Sequence, residues 1–218
     1  DFDDHRRALV GLRRINWWSR TAPQVWRRIV DIAKRRQMRR VRILDVASGG
    51  GDLAISLARS GDPARLAVHV EGCDISPAAV RHARETAAAR RVENVRFFAH
   101  DAVREPLPER FDFVVCTLFL HHLPEDDAVT LLRRMAKAAQ TAVVVDDLVR
   151  STTGLCLAHA ACRVLSRSPI VHADGPMSVR SAFSLSEAAT LAETAGLAPI
   201  TLRRHWPQRF MLSWERER

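Results

Sequence analysis

The chain has 218 residues, which suits one domain with a single large core, and its 47% hydrophobic and 27% charged residues match a soluble globular protein. No stretch approaches the roughly 20 apolar residues of a membrane span, and Asp1-Phe2-Asp3-Asp4 is no secretory leader, so a cytoplasmic location is expected. Lys and Arg outnumber Asp and Glu by 34 to 25, and the resulting +9 keeps anionic partners open: nucleic acid, a membrane surface or an acidic substrate.

All but two of the cations are Arg, the exceptions being Lys34 and Lys137, and Tyr is absent, a bias that reads as genome composition. The chain does not begin with Met, which leaves residues before Asp1 open. Cys73, Cys116, Cys156 and Cys162 are scattered in apolar surroundings and are expected to be buried free thiols.

In chain order, residues 5–15 and 22–38 read as helices, followed by a strand at 41–46 and a helix at 52–60. A strand at 66–73 precedes a helix opened by Ser76 at the cap and Pro77 at its first position. Strands follow at 95–99 and 111–117. Pro124-Glu125-Asp126-Asp127 then opens a helix with acids at its positive end and with Arg133, Arg134 and Lys137 toward its negative end. A fifth strand at 141–145 leads to an added helix at 153–166. The last helix starts at Ser184 with Glu187 as in a capping box and ends at Gly196, before two strands at 197–204 and 208–214. Alternating strands and helices predict an α/β fold, a Rossmann-like doubly wound seven-stranded sheet closed by an antiparallel hairpin. One domain is expected over 1–218. It comprises a helical lid at 1–40, a cofactor-binding core at 41–147, an inserted helix and roof loop at 148–183, and the terminal helix and hairpin at 184–218.

The most informative segment is Ile43-Leu44-Asp45-Val46-Ala47-Ser48-Gly49-Gly50-Gly51-Asp52-Leu53, a strand, a tight turn and a helix start. Glycines let the backbone approach a ligand and take positive φ, and such turns lie at the strand ends where these folds bind ligands. An acid ending the second strand, Asp74, suits ribose hydroxyls. Gly49-Gly50-Gly51-Asp52-Leu53-Ala54 also satisfies the G-x-G-x-x-A pattern of dinucleotide folds, so a nicotinamide-dependent oxidoreductase is a rival. Charge separates the two: a pyrophosphate wants a helix N-terminus free of carboxylates, whereas Asp45 and Asp52 favour a cationic ligand.

The loop resembles the first motif of the class I S-adenosylmethionine-dependent methyltransferases, an acid followed by alternating glycines. Ala47 stands where the first glycine is usual, a departure shared with quinone-biosynthesis methyltransferases. Later stretches resemble the small-molecule branch of that superfamily in order and spacing: Phe97-Phe98-Ala99-His100-Asp101-Ala102, and then Phe111-Asp112-Phe113-Val114-Val115-Cys116-Thr117-Leu118-Phe119-Leu120-His121-His122-Leu123. The likeness covers roughly 41–146 well and the flanks poorly. It implies S-adenosylmethionine as donor and S-adenosylhomocysteine as product. The positions implied to bind them are Asp45, Ala47, Ser48, Gly49, Gly51, Asp52, Asp74, Ile75, Asp101, Ala102, Thr117, Leu118 and His122, with Asp101 and the next N–H reading the adenine. The Asn/Asp-Pro-Pro-aromatic and Pro-Cys signatures of base-methylating enzymes are absent, so no stable nucleic-acid partner is expected. An RNA methyltransferase using the basic surface and a non-catalytic partner subunit remain alternatives.

Methyl transfer from a sulfonium needs mainly alignment and exclusion of water, with a base only if the nucleophile arrives protonated. Candidate catalytic residues are His121 and His122, near the expected methyl position, and His172 and Asp174 in the roof. For each the competing reading is a structural one. Trp17, Trp18, Phe119, Asp147 and Arg180 are candidates for the acceptor pocket; Asp147 reads equally as a helix cap, and Arg180 as a partner of Asp174. Cys156, His159 and Cys162 recur every three residues but fan over about a third of a helix, which reads as a packed face rather than a zinc site. The metal-dependent catechol enzymes need an acid where Thr117 stands, so no metal is expected. The basic N-terminal helix admits weak membrane-surface contact, and the oligomeric state is open. The expected reaction is methylation of an apolar or aromatic small molecule, first a phenolic oxygen of a polyketide- or quinone-like substrate and second a carbon of a quinone-like ring.

Overall fold

The computed structural model describes residues 21–61, 66–108, 110–165 and 169–217. The expected helix at 5–15 and the candidates Trp17 and Trp18 lie outside them. Seven strands form one sheet in the order β3-β2-β1-β4-β5-β7-β6. They are β1 (Arg40–Val46), β2 (Ala67–Asp74), β3 (Val95–Ala99), β4 (Phe111–Thr117), β5 (Ala139–Leu148), β6 (Ile200–His205) and β7 (Arg209–Glu215). The first five run parallel, and β7 pairs antiparallel with both β5 and β6. The chain reverses its winding between β1 and β4, so the loops after these two strands diverge and leave a crevice at their carboxyl ends. This is the expected Rossmann-like doubly wound architecture.

Strand alternation sends apolar side chains to both faces. On one face Ile43, Val70, Phe113, Val115 and Val144 pack under α1 (Thr21–Arg35), α2 (Asp52–Ala58) and α3 (Pro77–Ala89). On the other, Leu44, Val114, Cys116, Val143 and Val145 pack under α4 (Glu125–Ala138) and α7 (Leu185–Thr194). Helix α1 buries its Val25, Ile29 and Ile32 stripe, and Arg28 and Arg35 reach Glu215 on β7, which ties part of its basic face to the domain. Ser76 caps α3 by accepting the Ala79 N–H at 3.3 Å. Ser184 and Glu187 form the expected capping box on α7, and Gly196 follows at φ 83°.

Three expectations need correction. Strand β5 continues past Val145 to Leu148, because β7 extends its ladder down to the Leu148–Arg209 pairing. Asp146 and Asp147 are therefore strand residues with alternating sides, and Asp147 does not cap a helix. The roof is not a loop: α5 (Thr152–Leu165) is followed by α6 (Pro169–Ser181), which runs through Gly175-Pro176. A Cβ at Gly175 would collide with Cys162 Sγ, so the glycine serves the close approach of α5 and α6. Finally, Cys156 is exposed while Cys73, Cys116 and Cys162 are buried, so the row Cys156, His159 and Cys162 is not one packed face.

Candidate active site

The crevice is built first from backbone. After β1 the chain turns through Ala47, Gly49 and Gly51, at φ 56°, 51° and 79°. The Ser48 N–H donates to the Cys73 carbonyl at 2.9 Å, and the Gly51 N–H to the Ser48 carbonyl at 2.9 Å. Gly51 is needed twice over, since a Cβ there would lie 2.7 Å from Phe97 Cζ and 2.9 Å from Ala83 Cβ. Gly72 on β2 faces the same ring, with a Cβ position 2.6 Å from Phe97 Cδ1 and 2.9 Å from Ser48 Oγ. The Phe97 ring thus fills the space behind the loop that two glycines leave.

Acids brace this turn. Asp74 accepts the Gly49 N–H on Oδ2 at 2.8 Å and the Ser76 N–H on Oδ1 at 2.9 Å, joining the ends of β1 and β2. Asp101, after β3, accepts the Val103 and Arg104 N–H groups, each at 3.0 Å. Arg134 of α4 holds the following turn by donating to the carbonyls of Ala102, Arg104 and Glu105. Ala102 is buried beneath the turn, and Ile75 is 65% exposed at the rim. Asp52 is exposed and pairs with Arg90 at 3.5 Å.

Asp45 sits at the floor, 1% exposed. Burial pushes its carboxyl up to about 8, against the Ala54 backbone N–H that favours the charged form. Its Oδ2 and the Ser48 Oγ are buried without a hydrogen-bond partner. Two orphaned acceptors beside a glycine turn are what a ligand with donor groups would satisfy.

Across the crevice the site is built from side chains. Beyond β4, Leu118 takes φ 54° and its N–H donates to the Asp146 carbonyl at 2.9 Å, turning the chain into a single 3-10 turn at Leu120–His122. Thr117 is half-buried at the strand end, and Phe119 packs on the core with its ring 6.4 Å from that of His122. His121 is buried with its Nδ1 2.6 Å from Asp147 Oδ1; Asp147 Oδ2 accepts the His121 N–H at 3.3 Å. His122 is exposed, its ring 4.0 Å from that of His121. Helix α6 packs against this turn, bringing the roof to the site. His172 is half-buried on α6 and Arg180 exposed at its far end; Asp174 belongs to the same helix, its side chain outside the description.

The structure therefore brings His121 and Asp147 together. The residues missed from sequence are Gly72 and Phe97 behind the loop and Asp146, His205 and Arg209 at the end of β5. Only the tertiary packing of distant segments exposes their roles, although Asp146-Asp147 at a strand end was a visible signal. Among the described residues no group of three or more His, Cys, Asp or Glu side chains converges to hold a metal ion. No helix among them is long and apolar enough to cross a membrane.

A sheet of this order with a glycine turn after β1 and acids after β2 and β3 defines a class I methyltransferase-like fold. Comparison with known proteins agrees. A family model described as a methyltransferase domain matches residues 43–141. The ubiquinone biosynthesis O-methyltransferase of Ralstonia nicotianae is 30% identical over 197 residues, covering 87% of this chain and 71% of that protein. The demethylmenaquinone methyltransferase of Thermus thermophilus is 42% identical over 89 residues, 40% of this chain and 37% of that protein. Among solved structures, magnesium protoporphyrin IX methyltransferase from Synechocystis PCC 6803 with bound SAH superposes at a TM-score of 0.65 and 19% identity, covering 99% of this chain and 94% of that one. The methyltransferase SibL gives 0.65 at 22% identity, covering 94% of this chain but only 57% of that one. The chain belongs to the class I S-adenosylmethionine-dependent methyltransferase superfamily. It is a methyltransferase of that class.

Proposed function

We propose that this enzyme methylates an apolar or aromatic small molecule on a phenolic oxygen, with a quinone- or polyketide-like ring as acceptor. The observation that carries the reading is the buried His121–Asp147 pair at the carboxyl ends of β4 and β5. The identity to the Ralstonia O-methyltransferase over most of the chain supports the same acceptor class.

The donor's residues fit the turn described above. The backbone of Ala47, Ser48, Gly49 and Gly51 would hold its amino-acid portion, with Asp45 beneath and the unpartnered Asp45 Oδ2 and Ser48 Oγ available to its ammonium. Asp52 would add negative charge at the rim. Asp74 and Ile75 would hold the ribose, Asp101 and Ala102 the adenine, and Thr117, Leu118 and His122 the sulfonium end. S-adenosylmethionine supplies a methyl group already activated on a positive sulfur.

What the chain adds is alignment and a proton acceptor. Asp147 accepts the Nδ1–H of His121, which selects the tautomer whose Nε2 carries the lone pair. In this reading that nitrogen would take the phenolic proton while the bound donor supplies the methyl group to the oxygen. The resulting imidazolium is stabilised by the Asp147 charge. Phe119 would offer the acceptor ring an apolar contact, and we assign its orientation to His172, Asp174 and Arg180, with Trp17 and Trp18 as candidates that lie outside the described residues.

The test has two parts. Calorimetry with S-adenosylhomocysteine is expected to show one site per chain. Incubation with isotopically labelled donor and 4-decylcatechol is expected to give a labelled O-methyl ether, identified by NMR. No binding of S-adenosylhomocysteine refutes the donor assignment. Carbon methylation of a decyl-naphthoquinol in place of oxygen methylation favours the second reading, for which the likeness to the Thermus enzyme speaks.

A further inference from the structure

The two carboxylates at the end of β5 project to opposite faces of the sheet. Asp147 serves His121, whereas Asp146, fully buried, has no part in the chemistry above. Its Oδ2 lies 2.6 Å from His205 Nε2 on β6, and its Oδ1 3.3 Å from Arg209 Nη1 on β7. The same Nη1 donates to Thr21 Oγ1, the first residue of α1. Arg209 is 2% exposed, and its Nε–H is buried without an acceptor. Helix α1, β5 and the β6–β7 hairpin therefore meet at one buried charge cluster at the carboxyl end of β5.

Burial of an ion pair costs desolvation that well-packed apolar residues of the same volume would avoid, so such a cluster contributes little to stability over that alternative. Its geometry offers a different use. Helix α1 packs on α2, which continues the glycine turn, and on β5, which carries the base-orienting acid. Helix α1 thus touches one element from each half of the crevice. Further along, α1 is held through Arg28 to Ser213 at 3.0 Å and to Glu215 at 3.1 Å, toward the opposite end of β7. At the reacting edge Arg209 meets Thr21.

We propose that Arg209 is a positioning residue that latches the start of α1 to Asp146 and so holds α1 against α2 and β5, the elements that follow the glycine turn and carry Asp147. His205, on the same carboxylate, keeps Asp146 turned toward the latch. This rests on the reading of that edge as the methyl-transfer site.

Thr21→Val in the full chain leaves the Arg209–Asp146 pair intact and removes its tie to α1. The expected result is release of S-adenosylhomocysteine about tenfold faster by stopped-flow tryptophan fluorescence. Amide exchange in the first turn of α1 should quicken, while β5 and β7 stay protected. Arg209→Met should show the same faster release, and Arg209→Lys should fall between it and the wild type. Unchanged release and unchanged exchange in Thr21→Val overturn the latch. So does an Arg209→Met that melts at lower temperature but releases the product at the wild-type rate, since that is the signature of a stabilising pair only. If the wild-type chain does not bind S-adenosylhomocysteine, the donor assignment falls and the latch with it; a wild type that binds while both variants behave like it removes the latch alone.

Discussion

The two halves of the crevice are made of different materials. On the β1–β2–β3 side the surface offered to a ligand is largely main chain, turned through positive φ at Ala47, Gly49 and Gly51 and braced by Asp74 and Asp101 on neighbouring amides. On the β4–β5 side it is side chain, with His121 on Asp147 and the turn that carries His121 packed against α6. The donor is common to the whole superfamily, and a main-chain cradle tolerates variation in everything except the absence of Cβ atoms. The acceptor is particular to each enzyme, and a side-chain wall can be altered residue by residue. The difference teaches that substitutions in the first half should change donor affinity, and substitutions in the second should change turnover.

The sharpest way to break that division is Gly51→Val. It combines a φ that L side chains avoid with contact against Phe97 and Ala83, and donor affinity should fall on the order of 100-fold by calorimetry. If affinity holds and only turnover falls, the division is wrong. His121→Gln should lower kcat by roughly 100-fold or more with S-adenosylhomocysteine affinity unchanged. Asp147→Asn should lower kcat by about tenfold, since it loosens the tautomer without removing the base.

Asp45 tests the donor half by pH. Its carboxyl is raised to about 8 by burial, so it is protonated in the free fold at neutral pH. A cationic donor favours the ionised form, so binding releases a proton and affinity should rise with pH until about 8, then level off. The sign for stability is opposite: the folded state holds this proton more tightly than the unfolded chain, so stability should decline as pH rises from about 3.9 toward 8. Asp45→Asn should flatten both profiles, measured by calorimetry and by thermal melts. The smallest effect belongs to Asp52→Asn. Its carboxylate is exposed and already paired with Arg90, so donor affinity should change by less than about fivefold.

Legibility in the sequence followed the range of the interactions involved. The glycine turn, the cap at Ser76 and the Ser184–Glu187 box depend on contacts a few residues apart, and all were readable. Asp146 and Asp147 were visible as acids at a strand end, but their division of labour was not, because it depends on an antiparallel partner more than 60 residues away. The roof, expected to include a loop, differs for the same reason: α6 runs through Gly175-Pro176, where the glycine lets α5 approach α6 at Cys162.

By itself, then, the sequence determined the order of strands and helices, the turn after β1 and the class of donor, since periodicity, caps and glycine φ are local properties of the chain. Only the tertiary structure decided that Asp147 pairs with His121 and Asp146 with His205 and Arg209, and that Arg209 meets the first residue of α1. Each of those depends on side chains that the fold brings together from segments 26 to 188 residues apart, and the desolvation and hydrogen bonding that define them exist only once those segments have packed.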